Sequence, residues 1–393
     1  MSVTYLVNPT GHGVAHFAGR TWRGVRESID VTEHPERLNE GCWLVVGTFE
    51  GAITAWRFEH DGDDPEGVDP DGVHGDGNGD GDDRSVPEQR VWRGPNPDSW
   101  ESSMSRTEYC RAVERVREHI REGDVYQANV CRVLSAPLAP VVGAPTEPDA
   151  AALHRVLASG NPAPYGGFIH VPAGLKGANG VPIEPVWVVT ASPELFLELG
   201  PDGTISSSPI KGTATREEEL LEKDRAENVM ITDLVRNDLQ RVCEPGTIRV
   251  APLLEVQHHP GLVHLVSTVH GTLRRSHMPA ANGSLTPDWT AILDATFPPG
   301  SVSGAPKSSA LDIIEALETA PRGPYCGAIG WIDGDAGCAQ LAVGIRTFWW
   351  ENGTLRFGTG AGITWGSDPA GEWEETELKA RRLIGLASGQ ETT

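Results

Sequence analysis

The alternation of apolar and polar residues along this chain predicts β-strands mixed with amphipathic helices. Short runs rich in β-branched and aromatic residues, bounded by Gly, Pro or Asn, are typical of strands. These runs cover residues 42–46, 52–58, 186–190, 195–199, 263–266, 338–343, 347–350 and 355–358. Apolar residues at helical spacing predict helices over 105–122, 217–242, 305–317 and 373–386. Because the two element types are not arranged as a regular βαβ repeat, the pattern favours an α+β fold.

One predicted hairpin places an acid beside a lysine. The turn Gly200-Pro-Asp-Gly203 separates the strand after Glu194 from the strand that leads to Lys211. An antiparallel hairpin brings the start of its first strand next to the end of its second, so Glu194 and Lys211 should lie close together. Taken alone, they are better interpreted as a solvated surface acid and a strand-end lysine with its ammonium group in water.

Length and composition indicate a large soluble protein. A chain of 393 residues exceeds the usual limit of about 250–300 for one hydrophobic core, so two lobes or two domains are expected. Residues 1–7 lack the basic and apolar segments of a secretory signal, and no apolar run approaches about 18 residues. We therefore expect a cytoplasmic protein. Its six cysteines occur singly and without CxxC pairs, which favours small buried side chains over zinc ligands or disulfides.

The net charge of −23 argues against nucleic acids and anionic membranes as partners, since both need basic surfaces. Ten Asp and Glu residues lie in 61–83 among Gly and Pro, and we predict a disordered acidic loop over about 61–84. Asp76-Gly-Asn-Gly-Asp-Gly81 imitates the start of a calcium loop. Its twelfth position is Pro87, where a bidentate Glu is needed, so a disordered loop is the preferred interpretation.

Two pairs of acids are spaced to share a helical face. Asp224 and Glu227 are three residues apart on one predicted helix, as are Glu372 and Glu375 on another. If the two faces meet, their carboxylates offer the hard oxygen ligands that Mg²⁺ prefers; otherwise they are solvated faces of an acidic protein. Lys379 follows Glu375 by one helical turn, where its ammonium group can reach the same carboxylate.

A series of short motifs in a fixed order gives these residues a context. They are Ala191-Ser-Pro-Glu194, Pro209-Ile-Lys-Gly-Thr213, Arg225-Ala-Glu-Asn228, Asp233-Leu-Val-Arg-Asn-Asp238, His264-Leu-Val-Ser-Thr268, Ser303-Gly-Ala-Pro-Lys307, Cys326-Gly-Ala-Ile-Gly330, Ile345-Arg-Thr347, Gly360-Ala-Gly362 and Glu372-Trp-Glu-Glu-Thr376. Together they resemble the chorismate-utilising enzymes, most closely component I of aminodeoxychorismate synthase. The resemblance runs from about residue 102 to 386.

The resemblance implies a two-lobed β-sandwich core flanked by helices. On this view, residues 102–390 form the chorismate-binding catalytic domain. Residues 1–101 would form a shortened N-terminal lobe that contains the acidic loop.

The resemblance also implies a role for each candidate residue. Glu194 is the expected general acid and later base, Lys211 the nucleophile that adds at C2 of chorismate, and His264 a neighbour of the substrate ring. The expected Mg²⁺ ligands, direct or through water, are Glu227, Glu372 and Glu375. The expected substrate-binding residues are Thr213, Tyr325, Arg346, Gly360, Ala361, Gly362 and Lys379. Arg346 offers a planar fork for a carboxylate, and Gly358-Thr-Gly-Ala-Gly362 lacks the complete GxGxxG of a dinucleotide site.

The residue at position 211 distinguishes the enzymes of the resembled family, because anthranilate, isochorismate and salicylate synthases usually have Ala there. Lys211 therefore favours the resemblance to aminodeoxychorismate synthase. The chain has no Gly-x-Cys-x-Gly glutaminase motif, so a separate glutamine amidotransferase subunit is the expected source of ammonia. Two alternatives remain open. One is an anthranilate synthase component I or isochorismate/salicylate-type enzyme, and the other is a catalytically silent chorismate-binding subunit.

Overall fold

The computed structural model describes residues 12–62, 91–139, 147–214, 216–259, 262–277, 280–281 and 284–390. The predicted acidic loop and its calcium-like string lie outside these residues, apart from Asp61 and Gly62 at the end of a strand. Within the described residues, no helix is both long enough and apolar enough to span a membrane.

The helices match the predicted ones, with two additions. Their bounds are α1 Arg106–Glu122, α2 Ala150–Gly160, α3 Glu222–Gln240, α4 Trp289–Thr296, α5 Lys307–Leu317 and α6 Pro369–Ala387. Helix α1 begins with a capping box in which Ser105 and Glu108 satisfy each other's backbone N–H groups, a feature worth about 1 kcal/mol. Helices α2 and α4 were not predicted, and α3 is shorter than predicted because Glu217–Glu219 forms a separate 3₁₀ turn.

All the strand pairings are antiparallel. The strands of the first half of the chain are β1 Val14–Phe17, β2 Arg20–Asp30, β3 Cys42–Gly47, β4 Ile53–Gly62, β5 Glu101–Ser102, β6 Gln127–Pro137, β7 Tyr165–Val171, β8 Val186–Ser192, β9 Leu195–Leu199, β10 Thr204–Ser208 and β11 Ile210–Ala214. Those of the second half are β12 Arg249–Val250, β13 Glu255–His259, β14 Leu262–Val266, β15 Val269–Thr272, β16 Ala280–Ala281, β17 Ser284–Leu285, β18 Gly304–Ala305, β19 Ala328–Asp333, β20 Cys338–Val343, β21 Thr347–Glu351 and β22 Thr354–Ile363.

Within the part of the chain that the structure describes, seventeen strands form one continuous ladder. Its order is β12-β15-β10-β9-β20-β19-β3-β4-β2-β1-β7-β8-β21-β22-β6, and β5 and β18 both pair with β6. Strands of residues 12–62 are thus hydrogen-bonded to strands of the later chain, through β1 with β7 and β3 with β19. The division at residue 101 stays a prediction.

At two places, called crossings here, the chain passes between the part of the ladder that contains β9 and β20 and the part that contains β8 and β21. Strand β8 runs into β9 at Pro193-Glu194, and β20 runs into β21 through Gly344 to Arg346. Because β8 pairs with β21 and β9 pairs with β20, the two crossings lie side by side. Residues at the crossings are therefore held by hydrogen bonds on both sides.

Helices cover both parts of the ladder. The largest apolar cluster joins the strands around β2, β3 and β20 to α3 and α4, and a second one joins β8, β21 and β22 to α2 and α6. Fully buried side chains such as Trp22 and Trp43 each contribute roughly 1.5–3 kcal/mol by leaving water. On α3, Ile231, Val235 and Leu239 are buried at helical spacing, whereas Val229 is 46% exposed.

Candidate active site

Glu194 lies buried at the β8–β9 crossing. In the β9–β10 hairpin Leu195 is opposite Ser208, and the backbone N–H of Ile210 donates to the Glu194 carboxylate. The hydroxyl of Ser301 donates to it as well. Burial raises the pKa of Glu194 from 4.5 to about 7, and these hydrogen bonds and the charges of Lys211 and Arg346 only partly oppose the rise. A carboxyl group with this pKa can exchange a proton near neutral pH.

Lys211 projects from β11 toward β22. A Cβ atom added to Gly362 would lie 3.7 Å from Lys211 Nζ and 2.2 Å from Gln127 Nε2, so only glycine leaves room here. The ammonium group interacts electrostatically with Glu194, and also with Glu227 and Glu375. The charge of Lys211 thus acts on the buried acid, as the predicted hairpin implies, and also on a second set of carboxylates.

That second set, the acidic cluster, consists of Glu227 on α3 with Glu372 and Glu375 on α6. The two helices bring together the faces that the sequence spacing predicts. Burial raises the pKa of Glu227 and of Glu372, and the neighbouring charge of Glu375 adds to both shifts. In contrast, the adjacent ammonium groups, led by that of Lys379, overcome the effect of burial on Glu375 and lower its pKa.

The donor set of the acidic cluster fits Mg²⁺. All three side chains offer carboxylate oxygens, and a cation, the Lys223 ammonium group, already lies 3.7 Å from Glu227 Oε1 and 3.8 Å from Glu372 Oε1. In the described residues, the group whose ligand atoms all lie within 4.8 Å of one another is the half-buried His119 with the exposed Glu122 and Asp124. The acidic cluster does not meet that distance, so its carboxylates would hold Mg²⁺ partly through water.

Asp224, the other member of the α3 pair, has a different role. Its Oδ2 accepts a 2.8 Å hydrogen bond from the backbone N–H of Leu221 at the start of α3. Its Cβ would lie 2.8 Å from a Cβ added at Gly212. Asp224 therefore caps the helix and packs against β11.

Lys379 connects α6 to β22. Its Nζ lies 2.7 Å from Glu375 Oε1, as the helical spacing predicts, and donates a 3.1 Å hydrogen bond to the carbonyl oxygen of Gly360. Gly360 and Gly362 face Cys131 and Gln127, whereas Ala361 is 1% exposed and packs in a core cluster. Whether Gly360, Ala361 and Gly362 contribute backbone groups to a ligand stays a prediction.

Arg346 lies at the second crossing, on the same side as Glu194. Burial lowers the pKa of Arg346, and the charge of Glu194 opposes that shift. Its φ of 52° is in the left-handed region that non-glycine residues rarely adopt, and its carbonyl accepts a hydrogen bond from the N–H of Ala191. The charges of Arg346 and Glu194 thus act on each other, and whether Arg346 binds a substrate carboxylate stays a prediction.

The remaining predicted residues surround this centre. Tyr325 is 6% exposed, and its ring packs directly on Gly358, where an added Cβ would lie 2.0 Å from Tyr325 Cγ. His264 is 2% exposed on β14, opposite Thr213 of β11, whose side chain is outside the described part of the structure. Whether these residues contact a substrate stays a prediction.

Three site residues escaped sequence reasoning: Ser301, Gln127 and Lys223. Gln127 is 1% exposed, and within the described residues its Oε1 accepts no hydrogen bond. It lies in the string Tyr126-Gln-Ala-Asn129, which precedes all the motifs on which the resemblance was argued. Lys307, in contrast, has a structural role, because its Nζ donates to Asp238 Oδ2 at 2.8 Å and to the Thr296 carbonyl at 3.1 Å.

These residues bring a buried acid, two lysines and an arginine together on an antiparallel α+β fold, and comparison with known proteins assigns the class. A family model described as chorismate binding enzyme matches residues 68–385, so the chain belongs to that family. It is 37% identical over 297 residues to anthranilate synthase component 1 of Streptomyces coelicolor, and 36% identical over 298 residues to aminodeoxychorismate synthase component 1 of Klebsiella aerogenes.

These matches cover 72% and 73% of this chain, but only 52% and 59% of the two relatives. The chain therefore spans little more than half of their length. The menaquinone-specific isochorismate synthase MenF of Escherichia coli shares the fold, with a TM-score of 0.68 and 17% identity over 96% of this chain and 88% of that one. The predicted α+β chorismate-binding fold is confirmed.

Proposed function

We propose that this chain converts chorismate and ammonia to 4-amino-4-deoxychorismate, the reaction of an aminodeoxychorismate synthase component I. The observation that carries the proposal is the position of Lys211, whose amine lies beside Gly362 and whose charge acts on both Glu194 and Glu227 of the acidic cluster. An alanine at this position would leave no nucleophile there. The lysine therefore favours amination at C4 over direct addition at C2.

Glu194 supplies the proton for the first step. The C4 hydroxyl of chorismate leaves poorly as hydroxide, so it needs a proton from a nearby acid. With a pKa of about 7, Glu194 holds that proton in much of the population at neutral pH. Once deprotonated, the same carboxylate can take a proton from the incoming ammonia.

Lys211 provides the temporary covalent bond. Its neutral amine bonds to C2, the ring double bonds shift, and the C4–O bond breaks to release water. Ammonia then bonds to C4, the double bonds shift back, and the C2–N bond to Lys211 breaks. The sum is chorismate plus ammonia giving aminodeoxychorismate plus water, with Lys211 regenerated.

Anion binding completes the site. Arg346 offers two parallel donors to a carboxylate of the substrate, and Lys379 fixes the β22 backbone at Gly360. Glu227, Glu372 and Glu375 would hold Mg²⁺, which supplies positive charge that orients a substrate carboxylate in a protein of net charge −23.

The main alternative is an anthranilate synthase component I. It has a specific observation in its favour, because relatives with both names match this chain at nearly equal identity. Its chemistry would add ammonia at C2, the carbon that we assign to Lys211. The product therefore separates the two functions.

We infer a glutamine amidotransferase subunit as the partner. Both relatives are named as component 1 of their enzymes, and amination requires a source of ammonia. Free ammonium should replace the partner at a lower rate.

The test is to incubate the purified chain with chorismate, Mg²⁺ and ammonium and to identify the product by mass and fluorescence. A lyase that releases 4-aminobenzoate is added to half of each reaction. Aminodeoxychorismate, converted to 4-aminobenzoate by the lyase, is the expected product. Anthranilate or isochorismate would contradict the proposed specificity, and absence of turnover both with ammonium and with an amidotransferase partner would support the silent-subunit alternative.

A further inference from the structure

Lys223 lies between two carboxylates of the acidic cluster. Its Nζ is 3.7 Å from Glu227 Oε1, one turn along α3, and 3.8 Å from Glu372 Oε1 on α6. Both distances exceed the range of about 2.7–3.2 Å for an N–H···O hydrogen bond. Lys223 is therefore held by charge, without the directional constraint of a hydrogen bond.

The exposure of the three side chains is unequal. The Lys223 side chain is 50% exposed, whereas that of Glu227 is 17% and that of Glu372 is 6% exposed. A lysine has a flexible stem, so its ammonium group can swing into water at little cost. The two carboxylates are fixed on packed helices and need a cation wherever Lys223 goes.

Lys379 behaves differently, although it too is paired with the acidic cluster. It lies at hydrogen-bond distance from Glu375 and also donates to the Gly360 carbonyl. These contacts tie Lys379 to two elements at once. Lys223 has only longer ion pairs within the described residues, so it is the cation that can leave.

We propose that Lys223 is a displaceable counter-ion of the metal site. Its ammonium group pairs with Glu227 and Glu372 and holds α3 against α6, and it moves out when a divalent cation binds the same carboxylates. A divalent ion and an ammonium group less than about 4 Å from the same oxygens would repel each other strongly. The inference rests on the proposed Mg²⁺ site and adds a competition that sets the affinity of that site.

The experiment is calorimetric titration of the full chain with MgCl₂ in the absence of chorismate. We expect Lys223→Met to bind Mg²⁺ about threefold to tenfold more tightly than the wild type, because two partly exposed ion pairs no longer compete. Lys223→Arg keeps the charge and should stay within about twofold of the wild type. Lys176→Met removes an equal charge at a turn beyond β7, where Lys176 bridges Pro182, and serves as the matched control.

Thermal unfolding gives a second readout that does not depend on activity. Without Mg²⁺, Lys223→Met should melt at a lower temperature than the wild type, and Mg²⁺ should raise its Tm by more. Equal or weaker Mg²⁺ binding by Lys223→Met, with a wild-type site that binds Mg²⁺, would overturn the displacement and leave the metal site intact. No Mg²⁺ binding by the wild type would overturn both.

Discussion

Lys379 Nζ lies 2.7 Å from Glu375 Oε1, and the same ammonium group donates to the Gly360 carbonyl. One lysine thus ties the acidic cluster to the β22 backbone on which substrate contacts are expected. Its side chain is 50% exposed, so its contribution to stability is small, on the order of 0–1 kcal/mol. Its main effect should therefore be on substrate binding.

We expect Lys379→Met to raise KM for chorismate about tenfold or more while the Tm changes little. The variant removes a cation from an anion site and frees the Gly360 carbonyl. Steady-state kinetics and thermal unfolding measure the two effects. Arg106→Met is the matched control, because Arg106 of α1 pairs with Glu374 of α6 outside the site. An unchanged KM in Lys379→Met would remove this lysine from the binding site.

Glu194 predicts the pH dependence of the first chemical step. Its pKa of about 7 lies above the ordinary value of 4.5, and only the protonated form can act as the acid. Once the rate is divided by the fraction of neutral amine, the loss of the C4 hydroxyl in single turnovers should therefore slow about tenfold per pH unit above pH 7.

Glu194→Gln should abolish the step at every pH, because glutamine has nearly the shape of glutamic acid but cannot donate the proton. A milder variant tests the cause of the shift. Ser301→Ala removes a hydrogen bond that lowers the pKa of Glu194, so the falling limb should move to higher pH. If the falling part of the pH–rate profile lies at the same pH in Ser301→Ala and in the wild type, another group controls the rate.

The contacts of the buried Arg132 hold α6, and with it two residues of the acidic cluster, in position. Its buried guanidinium donates to Thr376 Oγ1 and Ser102 Oγ at 3.1 Å, pairs with Glu377, and lies 4.1 Å from the centre of the Trp373 ring. Three of these contacts are on α6, between and beside the ligand positions.

We expect Arg132→Met to lower stability by about 1–3 kcal/mol and to weaken Mg²⁺ binding, because α6 loses its orientation. Arg132→Lys keeps the charge but not the planar fork, so it should restore only part of both properties. Urea unfolding and Mg²⁺ titration provide the two values. A variant that loses stability but binds Mg²⁺ as the wild type does would limit Arg132 to a structural role.

The buried His154 should make the folding stability sensitive to acid. It is 6% exposed on α2 with its ring 5.2 Å from that of His16, and burial lowers its pKa from 6.5 to about 3. The unfolded chain therefore binds a proton below pH 6.5 that the folded chain does not. This group should cost roughly 1 kcal/mol of folding stability per pH unit between about pH 6 and pH 3.

Urea unfolding between pH 7.5 and pH 5 measures this slope. In His154→Gln, the slope of the unfolding free energy against pH should lose the contribution of nearly one proton. His34→Gln, at an exposed site, should leave the slope unchanged. An equal slope in His154→Gln and the wild type would assign the acid sensitivity to other groups.

Local patterns predicted the parts of the site that depend on one element or one turn. The Gly200-Pro-Asp-Gly203 turn brought Glu194 to Lys211, and helical spacing brought Lys379 to Glu375. The Lys223–Glu372 contact was not predictable in this way, because it depends on how α3 meets α6. Helix α2 was missed because its alanine-rich sequence follows a string, 137–149, that is rich in the Pro and Ala residues typical of exposed connections.

The covalent role of Lys211 is the central claim, and the mass of the intact protein tests it most directly. The chain is mixed with chorismate and Mg²⁺ without ammonia and quenched in acid, and the modified peptide is then sequenced. We predict a mass increase equal to chorismate less one water, located on Lys211 and absent from Lys211→Ala, which should also lose C4 amination. Unmodified protein, together with aminodeoxychorismate formation by Lys211→Ala, would contradict the account.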